Sequence, residues 1–406
     1  MEVLLIDVNH GALDLSREYL EFSKVSVWDI YGKLEKDQKF KEKNIEVISK
    51  IKIIPKNTIP VFSEYSSVIA PVHTPIDFKF KTFHEAVSEI ITKKYPEFYE
   101  KMITVTGVKG KTTTTELLTH ILSSKYRVYL HNSNKGSITP VTVLNKLKDL
   151  EKNKNIENYD FLIFEISLGV VSSKYSVLTN IIENYDIAGG RKTASVKIDS
   201  LKNSEIVLIN RETFDNYNCL KQVNLKNLKI IENDIKIISK YPLRYTYNEQ
   251  TYEFSDFVLG FHFIENANFA VEICREFMEF NDIKSAVKTF QISNRMEVLK
   301  TGNFVTVKNM NPGLDLKAIK YAIDDFLKVF ETGILVIGGD FGCTCEEIDL
   351  IKLRELIMSY DAKKLNVLLS GDIGYELKKY LDSTIIDINK KVFNDNSLII
   401  YRSKID

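Results

Sequence analysis

The sequence predicts an α/β protein of three domains in series. Strand-length apolar runs alternate with amphipathic helical stretches along the chain, and the 406 residues exceed what one hydrophobic core normally serves. One apolar strand also runs into a glycine-lysine turn that opens a helix. The composition is globular, with 44% hydrophobic residues and 55 Lys+Arg against 55 Asp+Glu. This excludes a disordered chain, and it argues against a protein whose main work is neutralising nucleic-acid phosphates, which needs a basic surplus. No run approaches the roughly 18 apolar residues of a membrane helix, and acids rather than bases flank the first apolar run. The expectation is a soluble, unprocessed chain. Four cysteines (Cys219, Cys274, Cys343, Cys345) are too few for a disulfide framework and point to a reducing cytoplasm.

The first block, 1–98, opens with the strand Val3 to Ile6, a turn at Asn9-His10-Gly11, an amphipathic stretch Leu13 to Phe22 and a second strand at Val25 to Trp28. Strand, turn, helix and strand make the unit of a parallel sheet. The turn lacks the three-glycine dinucleotide fingerprint, so Gly11 reads as a helix entry rather than a ligand contact. An extended segment Val68 to Pro75 and a helix from Phe83 follow, and Tyr95-Pro96 marks a boundary near residue 98. The second block, 99–293, carries strands at Ile103 to Val105, Phe161 to Phe164, Val177 to Ile181 and Ile206 to Ile209. It adds a hairpin around Tyr245 to Phe254 and helices after Ile264. Lysine- and asparagine-rich Lys148 to Asn158 reads as a solvated face. The third block, 294–406, alternates again: Val305 to Val307, a helix after Gly313, Ile334 to Ile337, a helix near Leu353, and Val367 to Leu369 before another helix.

The strongest local signal is Ile103-Thr104-Val105-Thr106-Gly107-Val108-Lys109-Gly110-Lys111-Thr112-Thr113. Gly107 and Gly110 let the backbone turn its amides inward, and the start of the following helix adds partial positive charge, so the loop forms a nest for phosphate. Lys111 can reach the β and γ phosphates, and the Thr112 hydroxyl can ligate magnesium. Only Val108 and Lys109 separate the two glycines, two fewer residues than in the general phosphate-loop pattern. The predicted ligand is a mononucleotide triphosphate with Mg2+.

This short loop with its threonines resembles the Mur ligase family, ATP-dependent enzymes that join a carboxylate to an amine. Further matches fall in the family's order. Asn134-Lys135-Gly136-Ser137-Ile138-Thr139-Pro140 is similar to the family's Asn-x-Gly-x-x-x-Pro, and Phe161 to Ser167 to the strand ending in its magnesium-binding glutamate, here Glu165. Gly260 to Ala270 resembles the segment whose asparagine faces adenine, here Asn266, and Arg295-Met296-Glu297 the Arg-x-Glu at the entry to the last domain. Asn311-Pro312 and Gly338-Gly339-Asp340 stand where the family has its ribose-side loop and the next strand end. The resemblance implies a Rossmann-like N-terminal substrate domain, a central phosphate-loop ATPase domain with a parallel sheet, and a Rossmann-like C-terminal domain. It implies that Gly107, Val108, Lys109, Gly110, Lys111, Thr112, Thr113, Asn134, Asn266 and Arg295 bind ATP, that Thr112 and Glu165 hold the metal, and that Lys111 and Glu165 are catalytic. Lys197 is either the lysine carbamoylated in many members, and then catalytic too, or a plain surface lysine. Two departures stand out. Tyr185 replaces the histidine of the family's Asn-x-x-x-Asp-His, and the acid that grips the ribose is absent from Val307-Lys308-Asn309-Met310.

Within the family, Asp7 to Ala12, Val27 to Tyr31, Ala70 to Pro75, Thr82 to Val87 and Cys345 to Asp349 resemble the methanogen branch that completes the nickel tetrapyrrole coenzyme F-430. That implies a carboxylated nickel tetrapyrrole as the small-molecule substrate, its propionate activated as an acyl phosphate and attacked by a carbon of the same macrocycle. His10, His73 and His84 either contact the acid and amide groups or the nickel of that substrate, or are satisfied or surface histidines. Cys343 and Cys345 read as an ordinary reduced loop, since two thiols do not supply four zinc ligands. The alternatives are an amide-forming peptide ligase, of pseudomurein or related substrates, and a non-catalytic nucleotide-binding homologue.

Overall fold

Val3, Leu4, Leu5 and Ile6 of β1 (Glu2–Ile6) are all buried, although successive side chains of a strand point to opposite faces. A strand covered on both faces belongs to the middle of a parallel sheet. The computed structural model, which describes residues 2–223, 225–232, 234–343, 347–389 and 393–403, places it there. The sheet runs β3-β2-β1-β4-β5, with β2 Lys24–Trp28, β3 Lys52–Ile54, β4 Ser67–Ala70 and β5 Lys81–Thr82, all parallel. Chain order reverses between β1 and β4, where crevices at the carboxyl ends of strands form. The extended segment expected over Val68 to Pro75 ends as a strand at Ala70, because Pro71 lacks the amide that a ladder needs and the chain turns there.

The helix Phe83–Lys94 begins at the predicted residue, held by a capping box in which Thr82 and Glu85 satisfy each other's backbone amides. The helix ends at Lys94, just before Tyr95-Pro96 as expected, and Pro96 opens a new one. It occupies the first turn of the short helix Pro96–Tyr99, where its missing amide costs nothing.

A second parallel sheet follows in the order β13-β12-β9-β6-β8-β7. Its strands are β6 Met102–Thr106, β7 Val128–His131, β8 Phe161–Glu165, β9 Ser173–Leu178, β12 Ser204–Asn210 and β13 Asn227–Ile231. A small hairpin of β10 Asp186–Ile187 and β11 Lys192–Thr193 lies between β9 and β12 in the chain. β9 stops at Leu178 rather than Ile181, since Thr179 and Asn180 leave the ladder to bond the loop after β6. Lys148 to Asn158 is largely exposed as expected; the exceptions come at its start, where the helix Pro140–Lys152 buries Leu150 and Lys148 ion-pairs with the buried Glu18.

Two compact units divide the chain, residues 1–233 and 234–406. In the first, one apolar cluster joins both sheets through Leu5, Phe83, Leu144, Leu162 and Phe164. Gly11 enters the helix Ala12–Tyr19 at φ 106°, a left-handed conformation that glycine adopts freely, and a Cβ there would strike Val141 of the next sheet's covering helix.

The second unit holds an antiparallel sheet of β14 Ile235–Lys240, β15 Leu243–Tyr247 and β16 Gln250–Glu253, with the helices His262–Cys274 and Phe280–Lys288. Its larger sheet has the order β17-β18-β22-β19-β20-β21. Those strands are β17 Arg295–Thr301, β18 Phe304–Met310, β19 Gly333–Gly339, β20 Leu365–Ser370, β21 Thr384–Ile385 and β22 Ser397–Arg402. β17 is antiparallel to β18, and the remaining pairs are parallel. Cys345 lies outside the described residues, and Cys343 is a free thiol.

Candidate active site

β6 is fully buried, and the chain leaves it through Gly107 at φ 142° and Gly110 at φ 84° before the helix Lys111–Leu122. A Cβ on Gly107 would overlap Thr179 Oγ1, so only glycine fits. The loop is pinned from the next strand. The Val108 and Lys109 amides donate to Asn180 O and Oδ1 at 2.9 and 3.1 Å, and the Thr179 hydroxyl donates to Lys109 O at 2.5 Å. Gly110 at the N-cap offers no side chain, so no capping group competes with an anion for the first-turn amides of this helix.

Behind the loop, Glu165 at the end of β8 is 2% exposed. The Thr112 hydroxyl donates to Glu165 Oε2 at 2.9 Å, the Ser133 amide donates to the same oxygen at 3.1 Å, and Lys111 Nζ stands 4.0 Å from Oε1. The structure thus brings Lys111, Thr112 and Glu165 together, with Thr113 buried one residue on. Asn134 is exposed, in the turn after β7, its side chain toward Glu116 at 3.5 Å. Asn266 and Arg295 belong to the second unit. Asn266 is buried and donates to His262 O at 3.0 Å, and Arg295 opens β17.

Lys197 is not a surface lysine. It is 1% exposed, its Nζ is 3.3 Å from Tyr185 Oη, and burial, reinforced by the Lys111 charge, pulls its pKa down to about 7. Tyr185, the residue that departs from the family's histidine, is therefore its neighbour. His84 reaches from the helix Phe83–Lys94 to Ser167 O at 2.9 Å, in the loop just past Glu165. A carbonyl only accepts, so Nε2 carries the proton, and burial holds the ring neutral with a pKa of about 4.

His10 and His73 meet at the reversal point of the first sheet. His10 Nδ1 is 2.6 Å from Asp7 Oδ2, His73 Nε2 is 4.0 Å from the same oxygen, and the two rings stand edge to face with centroids 4.5 Å apart. Sequence reading missed Asp7 as a site residue, although its place one step beyond a central parallel strand was a usable signal. It also missed Ser133, which no local pattern marks, and the pinning role of Thr179 and Asn180.

Comparison with known proteins agrees with this geometry. Residues 105–188 match the Mur ligase middle domain, and residues 298–404 match the C-terminal domain of coenzyme F430 synthetase CfbE. A coenzyme F(430) synthetase of Methanocaldococcus jannaschii is 47% identical over 99% of each chain, and one of Methanosarcina acetivorans is 25% identical over 91% of this chain and 90% of that protein. Among solved structures, MurF of Acinetobacter baumannii superposes with a TM-score of 0.59 at 14% identity, covering 99% of this chain and 90% of that one. MurF of Thermotoga maritima in complex with ADP gives 0.57 at 13% identity, covering 93% and 91%. These structural likenesses establish the three-domain Mur ligase fold, and the full-length sequence match goes further: the chain belongs to the coenzyme F430 synthetase family of ATP-dependent ligases.

Proposed function

We propose that this ligase activates a propionate carboxylate of a nickel tetrapyrrole seco-acid as an acyl phosphate and closes the carbocyclic ring of coenzyme F-430, releasing ADP and phosphate. The observation that carries this is the 47% identity spanning 99% of both chains, joined to a phosphate loop with Lys111, Thr112 and Glu165 converged behind it. ATP binds with its phosphates in the loop 107–112, and the family resemblance assigns Asn266 and Arg295, of the second unit, to ATP as well. Asn134 lies on the loop side. The domain boundaries at 98 and 293 remain part of this proposal, as does a cytoplasmic location.

A carboxylate and a triphosphate repel one another, so cations must hold them in line while the phosphoryl moves. Lys111 and Lys109 supply charge at the loop, and the helix amides supply dipoles that need no reorganisation. Thr112 Oγ1 and Glu165 Oε2, 2.9 Å apart, are the oxygen donors that Mg2+ favours. When bound, the ion withdraws charge from phosphate oxygens. Lys197, as an amine with its pKa near neutral, is poised to become a carbamate: the neutral nitrogen bonds CO2 and a proton leaves, so an anion takes the place of a neutral amine facing Lys111. His10 and His73 face the substrate side, while His84 is buried behind them against Ser167 O.

Purified protein with ATP, Mg2+ and either the nickel seco-acid or amino acids decides the matter. ADP release coupled to ring closure with the seco-acid supports the proposal. Turnover with amino acids alone makes it an amide ligase, and tight ATP binding without turnover on any of them makes it a regulator.

A further inference from the structure

Three residues from two loops converge at the carboxyl edge of the first sheet. Asp7 and His10 follow β1, and His73 follows β4, so both arms of the reversal point contribute. One donor atom from each lies within 4.8 Å of the others. Asp7 is fully buried at φ 80°, its Oδ1 taken by the Asn9 amide at 2.9 Å and its Oδ2 by His10 Nδ1 at 2.6 Å. A carboxylate only accepts here, so Nδ1 of His10 carries a proton, and in the neutral ring this leaves Nε2 as the lone pair available to a metal, in a ring 37% exposed. That is the carboxylate–histidine arrangement that fixes the tautomer of a metal-bound imidazole. His73, 25% exposed, has no hydrogen-bond partner within reach among the described residues. Close by in sequence and sheet, Thr74 Oγ1 and Trp28 Nε1 are buried without a partner, as expected where a bound group completes the site.

We propose that His10 and His73, with Asp7 behind them, form a nitrogen-donor site for a borderline divalent metal of the nickel, cobalt or zinc class. Imidazole selects these ions over Mg2+, so the site is distinct in chemistry from the all-oxygen pair Thr112 and Glu165. The metal has two possible sources, an aqueous ion held by the two imidazoles while Asp7 orients His10, or a metal already at the centre of a planar macrocycle. In the second case a single imidazole nitrogen would ligate it from this side, and His10 Nε2, oriented by Asp7, is the one we assign. The coordination itself does not rest on the substrate proposed above; only the second source does.

Trp28, the single tryptophan of the chain, supplies the readout, because its carbonyl accepts the Asp7 amide at 3.0 Å. Full-length protein is titrated with NiCl2 and with MgCl2, following Trp28 fluorescence and calorimetric heat. His10→Gln and His73→Ala are compared after circular dichroism and ATP binding confirm that they fold. A parallel titration uses the nickel-loaded and metal-free forms of one carboxylated tetrapyrrole. Saturable quenching by nickel but not magnesium, weakened at least about tenfold in both variants, supports the site with the ion as source. Binding of the nickel macrocycle at least about tenfold tighter than its metal-free form, an advantage lost in His10→Gln, supports it with the substrate as source. Affinities for aqueous nickel and for both macrocycles that ignore both substitutions overturn the proposal, while leaving the tetrapyrrole reading intact. Histidine-dependent nickel binding without any macrocycle binding sustains the site and removes the substrate reading.

Discussion

Replacing Lys197 with methionine tests the electrostatics of the site without reference to substrate. Lys197 is almost wholly buried, and its pKa falls from 10.5 to about 7, a depression that at about 1.4 kcal/mol per pH unit means the folded state loses about 5 kcal/mol whenever the amine must be charged. Between pH 7 and 10.5 the unfolded lysine holds a proton that the folded one has released, so stability rises with pH across that window. Below pH 7 the full cost is present, and above 10.5 it is gone. Methionine keeps the length and apolar stem but does not titrate. Lys197→Met is therefore more stable than the wild type at pH 7, and its advantage shrinks by about 2.5 kcal/mol on going to pH 9. Urea unfolding in carbon-dioxide-free buffer, followed through Trp28 in the same unit, measures this at pH 7, 8 and 9 for both proteins. A stability difference that stays constant over that range would refute the reasoning, because it would show that Lys197 titrates alike in the folded and unfolded chain.

Other expectations concern the phosphate loop and its neighbours. Lys111→Ala abolishes turnover, a loss of several powers of ten by the usual scale for a phosphate-clamping charge, and ADP release within tenfold of the wild type removes Lys111 from that role. Glu165→Ala shifts the magnesium titration of activity to higher concentration; an unchanged curve makes Glu165 a structural acid that only anchors Thr112 and Ser133. Gly107→Ala weakens ATP binding, since its Cβ must displace Thr179 from Lys109 O, and calorimetry showing wild-type affinity would mean the loop tolerates that shift. Added bicarbonate raises the turnover of the wild type but not of Lys197→Met, and equal response in both counts against a carbamate at Lys197.

What was legible in the sequence was what is contiguous in it. The loop 107–112 could be read because glycine placement, the lysine and the hydroxyl all fall within one strand-to-helix turn, and backbone geometry there leaves few alternatives. Glu165 is identified through the resemblance of its strand to the family's, since an acid ending an apolar run could equally be structural, while the start of the helix Phe83–Lys94 coincides with a local pattern, the capping box. Prediction failed where a long-range contact overrode the local one. β9 looked longer than it is because apolar Ile181 continues its pattern, and nothing nearby signals that Thr179 and Asn180 are spent on the phosphate loop. Lys148 looked solvated because its partner Glu18 lies in another part of the chain.

The histidines show the same limit from the functional side. Taken singly, each supported a bland reading, and for His84 burial against Ser167 O leaves a neutral ring with one proton already committed. His10 and His73 differ because the sheet order brings the ends of β1 and β4 side by side, which a linear pattern cannot display. Asp7 then decides what the pair can do: a buried carboxylate that takes the Nδ1 proton leaves Nε2 as the outward donor. Further in, burial does most of the work: reinforced by His73 and Lys197 and opposed by Ser167 O and Glu85, it keeps His84 neutral, and reinforced by Lys111 it pulls the pKa of the Lys197 amine down to about 7, so that of these groups Lys111, not the histidines or Lys197, is the cation nearest the phosphate loop.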